Sequence, residues 1–512
     1  MKPVRLLTGI LTVGGWTLIS RILGFVRDVL IASYIGPGAV MDAFVAAFRL
    51  PDMFRRFFAE GALNAAFVPM FSKRREAGDN PLGFAAQACS GLGFLLLGLT
   101  GLGMVAMPAL VWVTAGGFAG DVRFDLTVEF GRIVFPYILF ISLAGLFSGM
   151  LNAVDRFAAA AAAPVLLNLL LIGAMSYAAR SGGMVVQALV WTIPVAGGAQ
   201  LALVWYAARR AGLHLPLVRP RWTPEMAQLV RIAVPAALAG GVVQINLVVG
   251  QLVASNTEKA VSWLYAADRL YQLPLGVVGI AVGIVLLPDL SRRLKAQDDA
   301  GARMALSRAG EIALALTIPC AVALVVIPIQ LVSVLFERGA FGVDDSAATA
   351  LAVAIYGLGL PAFVLQKILQ PVFFAREDTR SPFRYAVWAM VVNAVLAVGL
   401  AMLIGWIAAA IATTVAAWIM VVQLARGARQ FGDVARFDAQ FQRRLWRICV
   451  ASMLMGAVLW GVGAVMGPLF GMGGVRWLAL LLLIAVGTLA YALFGQVLGA
   501  FRMQEIRGRL RR

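Results

Sequence analysis

Apolar runs dominate the chain, and polar residues collect in the short gaps between them. A helix needs about 20 mostly apolar residues to cross a bilayer. Fourteen segments are long enough: 6–35, 40–72, 83–113, 124–151, 157–179, 184–207, 226–255, 260–290, 306–333, 347–375, 383–404, 406–425, 446–467 and 475–500. The pattern predicts an all-α polytopic membrane protein with about 14 transmembrane helices. The opening stretch "MKPVRLLTGILTVGGWTLISR" has the basic start and apolar body of a signal peptide. It lacks a small-residue cleavage site and runs on into Arg21 and more helix, so it reads as a retained first span.

Composition agrees. Of 512 residues 61% are hydrophobic and 13% charged, with mean hydropathy +0.88. Soluble proteins carry about 25% charged residues. The formal net charge of +18 raises nucleic acid as a partner, but the placement of the charges argues against it. With the N-terminus inside, 29 of the 43 Lys and Arg fall in inside segments. The outside loops hold five: Arg123, Arg180, Lys259, Arg338 and Arg476. This is the positive-inside asymmetry, and it puts both termini in the cytoplasm. Cys89, Cys320 and Cys449 stand far apart in apolar stretches and read as small buried hydrophobes. His214, the sole histidine, sits in a connecting loop. No metal-ligand set, P-loop or nucleophile elbow is present, so neither a metal nor a catalytic residue is expected.

Two stretches resemble each other. "AFRLPDMFRRFFAEGALNAAFVPMFSKRRE" begins at Ala47, and "ADRLYQLPLGVVGIAVGIVLLPDLSRRLK" at Ala267. Arg49 matches Arg269 at an offset of 220; Pro69 matches Pro288 and Ser72 matches Ser291, both at 219. Pro136 matches Pro361 and Asn168 matches Asn393, both at 225. The agreement divides the chain into a six-helix lobe 1–213, a second six-helix lobe 224–432, and a region 440–512 with two further helices and a basic tail. Duplicated halves around a central site are a transporter architecture.

Charge also lies inside the spans. Arg in mid-bilayer costs about 2.5 to 3.5 kcal/mol on insertion scales, so it must face something other than lipid. Five Arg (21, 27, 49, 55, 56) and four carboxylates (Asp28, Asp42, Asp52, Glu60) fall within residues 21–60. At 100° per residue Ser20 aligns with Arg27, and Arg21 with Asp28. Asp42, Arg49, Arg56 and Glu60 share a face, with Asp52 nearby. Internal ion pairs pinning helices account for part of this. The exclusive use of Arg points further, to bidentate binding of phosphate or carboxylate. Arg269, and with it Lys367, is expected to join the same cavity, with Arg–carboxylate pairs closing it when empty. The predicted substrate is an anion bound between the halves. A membrane enzyme acting on polyprenyl phosphates is the rival. The adjacent pairs Asp298–Asp299 and Asp344–Asp345 lack the partners its chemistry needs.

The run "SRILGFVRDVLIASYIG" with "DAFVAAFRLPDMFRRFFAEGALNAAFVPMF" resembles the MurJ-type lipid II flippases of bacteria, formerly called MviN. "SWLYAADRLYQLPLGVVGIAVGIVLLP" is similar to that family's eighth-span signature. The wider superfamily includes multidrug/toxin extruders and polysaccharide flippases. The resemblance implies two pseudo-twofold-related six-helix bundles plus two C-terminal helices whose groove takes the polyprenyl tail. It implies alternating-access transport of lipid II, the undecaprenyl-pyrophosphate disaccharide-pentapeptide, across the bacterial inner membrane for peptidoglycan synthesis. Lipid II, membrane lipid and other cell-wall synthesis proteins are the implied partners. Arg21, Arg27, Arg55 and Arg269 would bind the pyrophosphate. Ser20, Asp28, Asp42, Arg49, Asp52, Arg56, Glu60 and Lys367 would form gating or ion pairs. An exporter of another anionic polyprenyl-linked glycan, or an extrusion-type antiporter, is the alternative. Asp52 stands where relatives can have Asn, and Gln272 where they can have Glu. No nucleotide motif is present and no cofactor is expected, which leaves membrane potential, protons or sodium as driving forces.

Overall fold

The computed structural model describes residues 3–55, 62–216, 218–472 and 474–500, and no strand occurs among them. Packing divides the chain into two units, Met1–Ser262 and Trp263–Arg512. Helices of the first unit are α1 (Pro3–Tyr34), α2 (Ala39–Arg55), α3 (Ala62–Ala77), α4 (Pro81–Val105), α5 (Met107–Ala115), α6 (Val122–Val134), α7 (Tyr137–Ala153), α8 (Ala158–Ser181), α9 (Val185–Arg210) and α10 (Pro224–Ala254). Then follow α11 (Ala260–Lys295), α12 (Asp299–Val326), α13 (Pro328–Phe336), α14 (Val343–Phe374), α15 (Arg380–Ile404), α16 (Ala408–Ala428), α17 (Ala439–Val465), α18 (Gly467–Phe470) and α19 (Arg476–Val497).

Local chemistry sets the boundaries. Pro81 and Pro224 occupy first-turn positions where a missing N–H costs nothing. The Asn80, Thr223, Asp298 and Asp438 side chains accept the orphan N–H groups of α4, α10, α12 and α17. Gly182, at φ +72°, closes α8 in the left-handed region. Pro108 lies in the first turn of α5, Pro136 separates α6 from α7, and Pro328 opens α13, so three expected spans, 83–113, 124–151 and 306–333, are each built from two helices.

Residues 56–61 of the second expected segment lie outside the described residues; elsewhere the bodies of the expected segments fall on helix. By length and apolarity alone, nine stretches among the described residues suffice to cross a membrane, and one of them, Arg380–Ala435, covers two expected spans. This is a multi-pass membrane protein. Its outward surfaces are apolar: Phe94, Leu97, Leu102 and Val105 stand exposed along α4. Outward apolar side chains fit a lipid surround, where backbone polar groups must be satisfied within the helices.

The first unit's core is built round stacked Phe67, Phe71 and Phe84, with centroids 5.6 Å apart, together with Leu96, Ile138 and Leu146. In the second, Leu306, Ile368, Phe373 and Leu424 hold α12, α14 and α16 together. Ile327, Met455, Leu459 and Leu483 make a smaller cluster that seats α17 and α19. The sequence repeat assigns α10 to the second half. By packing it goes with the first unit, against α3 and α5.

Candidate functional site

Arg27 and Asp28 lie in the last third of α1. The Arg27 guanidinium donates to Asp28 Oδ1 from Nε (3.0 Å) and Nη2 (2.8 Å), and from Nη1 to Asn168 Oδ1 of α8 (2.9 Å). Asn168 Nδ2 in turn donates to the Ser20 carbonyl at 3.0 Å, so Ser20 contributes its backbone rather than its hydroxyl. The side chains of Arg27 and Asp28 are only 12% and 5% exposed. Helical spacing aligns Asp28 with Arg21. Asp28 instead pairs with Arg27, whose long stem brings the guanidinium round to the adjacent carboxylate. Arg21 is exposed and has no ion pair among the described residues.

On α2, Arg55 donates to Asp52 Oδ1 from Nε (3.0 Å) and Nη2 (2.7 Å). The Asp at position 52 thus serves as an ion-pair partner one turn from Arg55. Arg56 and Glu60 lie outside the described residues. Arg49 turns to α10 and donates to the Leu247 carbonyl at 3.1 Å. It lines a small, mostly apolar cleft in which Thr114, Gln244 and Gln251 are the other polar residues.

Asp42 does not face a cavity. It is fully buried at the start of α2 and accepts from Lys259 N (2.8 Å), Ser262 N (2.9 Å) and Ser262 Oγ (2.5 Å). It therefore holds the turn where α10 gives way to α11, in the manner of an N-cap supplied by another helix. Arg123 completes the arrangement. Its Nη1 is 3.6 Å from Asp42 Oδ2 and donates to the Ser255 carbonyl at 3.2 Å. Its guanidinium lies 4.6 Å from the Phe118 ring centroid. Asp121 takes Arg123 Nε at 2.5 Å, and these hydrogen bonds from Arg123 hold the Asp121 carboxyl below its ordinary range.

In the second unit Arg269 lies over the Tyr265 ring, 4.4 Å from its centroid, a cation–π arrangement. One turn of α11 is tied by Gln272 donating to Asp268. A Glu at 272 would set two carboxylates against each other, which accounts for the Gln. Lys367 is exposed on α14. No group of three or more His, Cys, Asp or Glu among the described residues is placed to hold a metal ion. Sequence reasoning passed over Arg123, which counts only as an outside-loop charge, and Ser262, which carries no charge. Asn168 had one signal, its match to Asn393, and that match gave no role.

The profile of the family described as Lipid II flippase MurJ matches residues 31–481. A protein of Rhizobium tropici, described as a probable lipid II flippase MurJ, is 45% identical over 514 residues, covering 98% of this chain and 96% of its own. Among solved structures, "Lipid II flippase MurJ, inward closed conformation" superposes with a TM-score of 0.80 at 24% identity, over 95% of this chain and 98% of that one. An inward-facing multidrug resistance MATE transporter of the MOP superfamily gives 0.70 at 14% identity, over 81% and 95%, a likeness of fold alone.

Proposed function

The chain belongs to the lipid II flippase MurJ family, and from that membership we propose how its residues carry lipid II across the bilayer. It is a lipid II flippase, a transporter rather than an enzyme. Arg21, Arg27, Arg55 and Arg269 engage the pyrophosphate, and Asp28 and Asp52 pair with Arg27 and Arg55 when substrate is absent. The observation that carries this reading is Arg27: a guanidinium 12% exposed, oriented from two sides, on a largely apolar helix. Such a group suits a bidentate oxyanion far better than an ammonium would. Transport runs by alternating access from the inner to the outer leaflet of the bacterial inner membrane, with both termini cytoplasmic. Membrane potential, protons or sodium supply the driving force, and other cell-wall synthesis proteins work alongside.

The test is reconstitution into liposomes containing lipid II, reading the outward exposure of its headgroup. The purified protein is expected to expose lipid II and leave it chemically intact. Arg21→Lys and Arg27→Lys, which keep the charge and lose the fork, are expected to transport at less than a tenth of the wild-type rate. Undiminished transport by both would remove the bidentate reading.

A further inference from the structure

Asn168 is buried, with 4% of its surface exposed, and both ends of its amide are engaged by α1. Oδ1 accepts from Arg27 Nη1 at 2.9 Å, and Nδ2 donates to the Ser20 carbonyl at 3.0 Å. The two bonds fix the amide's orientation. Flipped, it would point its NH2 at a guanidinium and its oxygen at a carbonyl. Asp28 also holds Arg27, but it sits on the same helix and moves with it. Asp28 takes the Nε/Nη2 edge, while Asn168 takes Nη1 from a second helix. Two partners from different directions fix both the plane and the position of the guanidinium.

Gly24 lies under this contact. A Cβ built there would stand 3.6 Å from Asn168 Nδ2 and 3.8 Å from Oδ1, in ordinary van der Waals contact with the amide. The amide therefore lies directly on the α1 backbone between Ser20 and Arg27.

We propose that Asn168 is a positioning residue for substrate binding: it fixes the Arg27 guanidinium in the orientation that takes the pyrophosphate oxygens, without itself touching the substrate. The proposal rests on the reading of Arg27 as an anion-binding residue. A neutral amide suits the task. It supplies an acceptor for the guanidinium without adding a second carboxylate to the one Asp28 already places there. A carboxylate at the same place would hold Arg27 at least as firmly and leave the group net negative, which repels an anion.

That difference separates positioning from simple helix packing. Transport is measured in liposomes over a range of lipid II contents, with the apparent unfolding midpoint of each variant measured in detergent. Asn168→Ala is expected to raise the half-saturating lipid II content about tenfold, the scale of one lost charge-assisted hydrogen bond, and to leave the maximal rate within about twofold. Asn168→Asp, which keeps an acceptor for Arg27 but sets an oxygen against the Ser20 carbonyl, is expected to lower the unfolding midpoint no further than Asn168→Ala does and still to raise half-saturation. Gly24→Val, which alters neither polar residue but crowds the amide, is expected to reproduce the Asn168→Ala shift and serves if Asn168→Ala fails to fold. In an Arg27→Lys background, Asn168→Ala is expected to add nothing further, because the group it positions is gone. Wild-type half-saturation in Asn168→Asp, or a full additional tenfold in the Arg27→Lys background, would overturn the positioning role and leave Asn168 as a packing residue. Wild-type transport by Arg27→Lys alone would instead overturn the parent reading of Arg27, and the proposal with it.

Discussion

A carboxylate as thoroughly buried as Asp42 is tolerated only when its oxygens are satisfied, and here three donors and a guanidinium converge on them. Replacing it with Ala strands donors worth about 1 to 3 kcal/mol each. Asp42→Asn keeps one oxygen for the Ser262 N–H and Oγ and turns an NH2 toward the Lys259 N–H and the Arg123 guanidinium, so it loses two contacts rather than all. The apparent unfolding midpoint is therefore expected to fall steeply in Asp42→Ala and by a fraction of that in Asp42→Asn; equal midpoints in the two would discount the capping role. Helical spacing places Asp42 on a face with Arg49, and that is as far as spacing reaches. Its real partners are a backbone N–H and a serine 220 positions along the chain, which no pattern on α2 announces. The pairing of Asp28 shows the same limit, because 100° geometry ranks residues by face while a guanidinium on a long flexible stem reaches its immediate neighbour.

The helices themselves were legible, since bilayer thickness imposes a length and proline and glycine mark where a run is interrupted. Their attachments were not. Arg308 and Arg444 count as inside-loop charges in the sequence, yet in the structure they clasp one buried carboxylate. Arg308 donates to Glu311, Arg444 Nη1 donates to Glu311 Oε2 at 3.1 Å, and Arg308 Nη2 reaches Asp438 Oδ2 at 3.1 Å. Asp438 at the same time caps α17, accepting from Phe441 N at 2.6 Å, and its own N–H donates to Ser307 Oγ at 2.9 Å. Phe437 and Phe441 stack 4.0 Å apart over Gly310, where an added Cβ would meet Phe441 at 2.8 Å. The start of α17 is thus pinned to α12 by a polar clasp beside an aromatic one. Removing one partner from a buried ion cluster costs about 3 to 5 kcal/mol. Glu311→Ala is expected to loosen this end of α17 and speed trypsin cleavage at the exposed Arg429 and Arg436 several-fold, with Glu311→Gln intermediate. Unchanged cleavage in Glu311→Ala would mean that the aromatic stack alone holds the junction.

At the scale of the whole chain the repeat can be followed in each unit by itself. In the first, α9 packs against α7 and α8; in the second, α16 packs against α14 and α15. Pro108 sits in the first turn of the nine-residue α5 and Pro328 in the first turn of the nine-residue α13, a correspondence the sequence match had not reached. Asn168 and Asn393 are both buried, at 4% and 1% exposed. Orientation in the membrane is a separate matter, and it rests on charge: 29 Lys and Arg in one set of loops against five in the other. Four positions test it because all are exposed and lie at helix ends: Ala77 and Ala300 on the basic side, Met184 and Val343 on the other. In a background with Cys89, Cys320 and Cys449 replaced by Ser, each is changed in turn to Cys and treated in intact cells with a thiol reagent that cannot cross the inner membrane. Met184→Cys and Val343→Cys are expected to be labelled from outside. Ala77→Cys and Ala300→Cys are expected to react only after the membrane is permeabilised. Two intervening spans more or fewer would preserve this result, but one would invert it for every position beyond the error. Labelling of Ala300→Cys together with protection of Val343→Cys would therefore place a miscounted span between Ala77 and Ala300 and put the C-terminus outside.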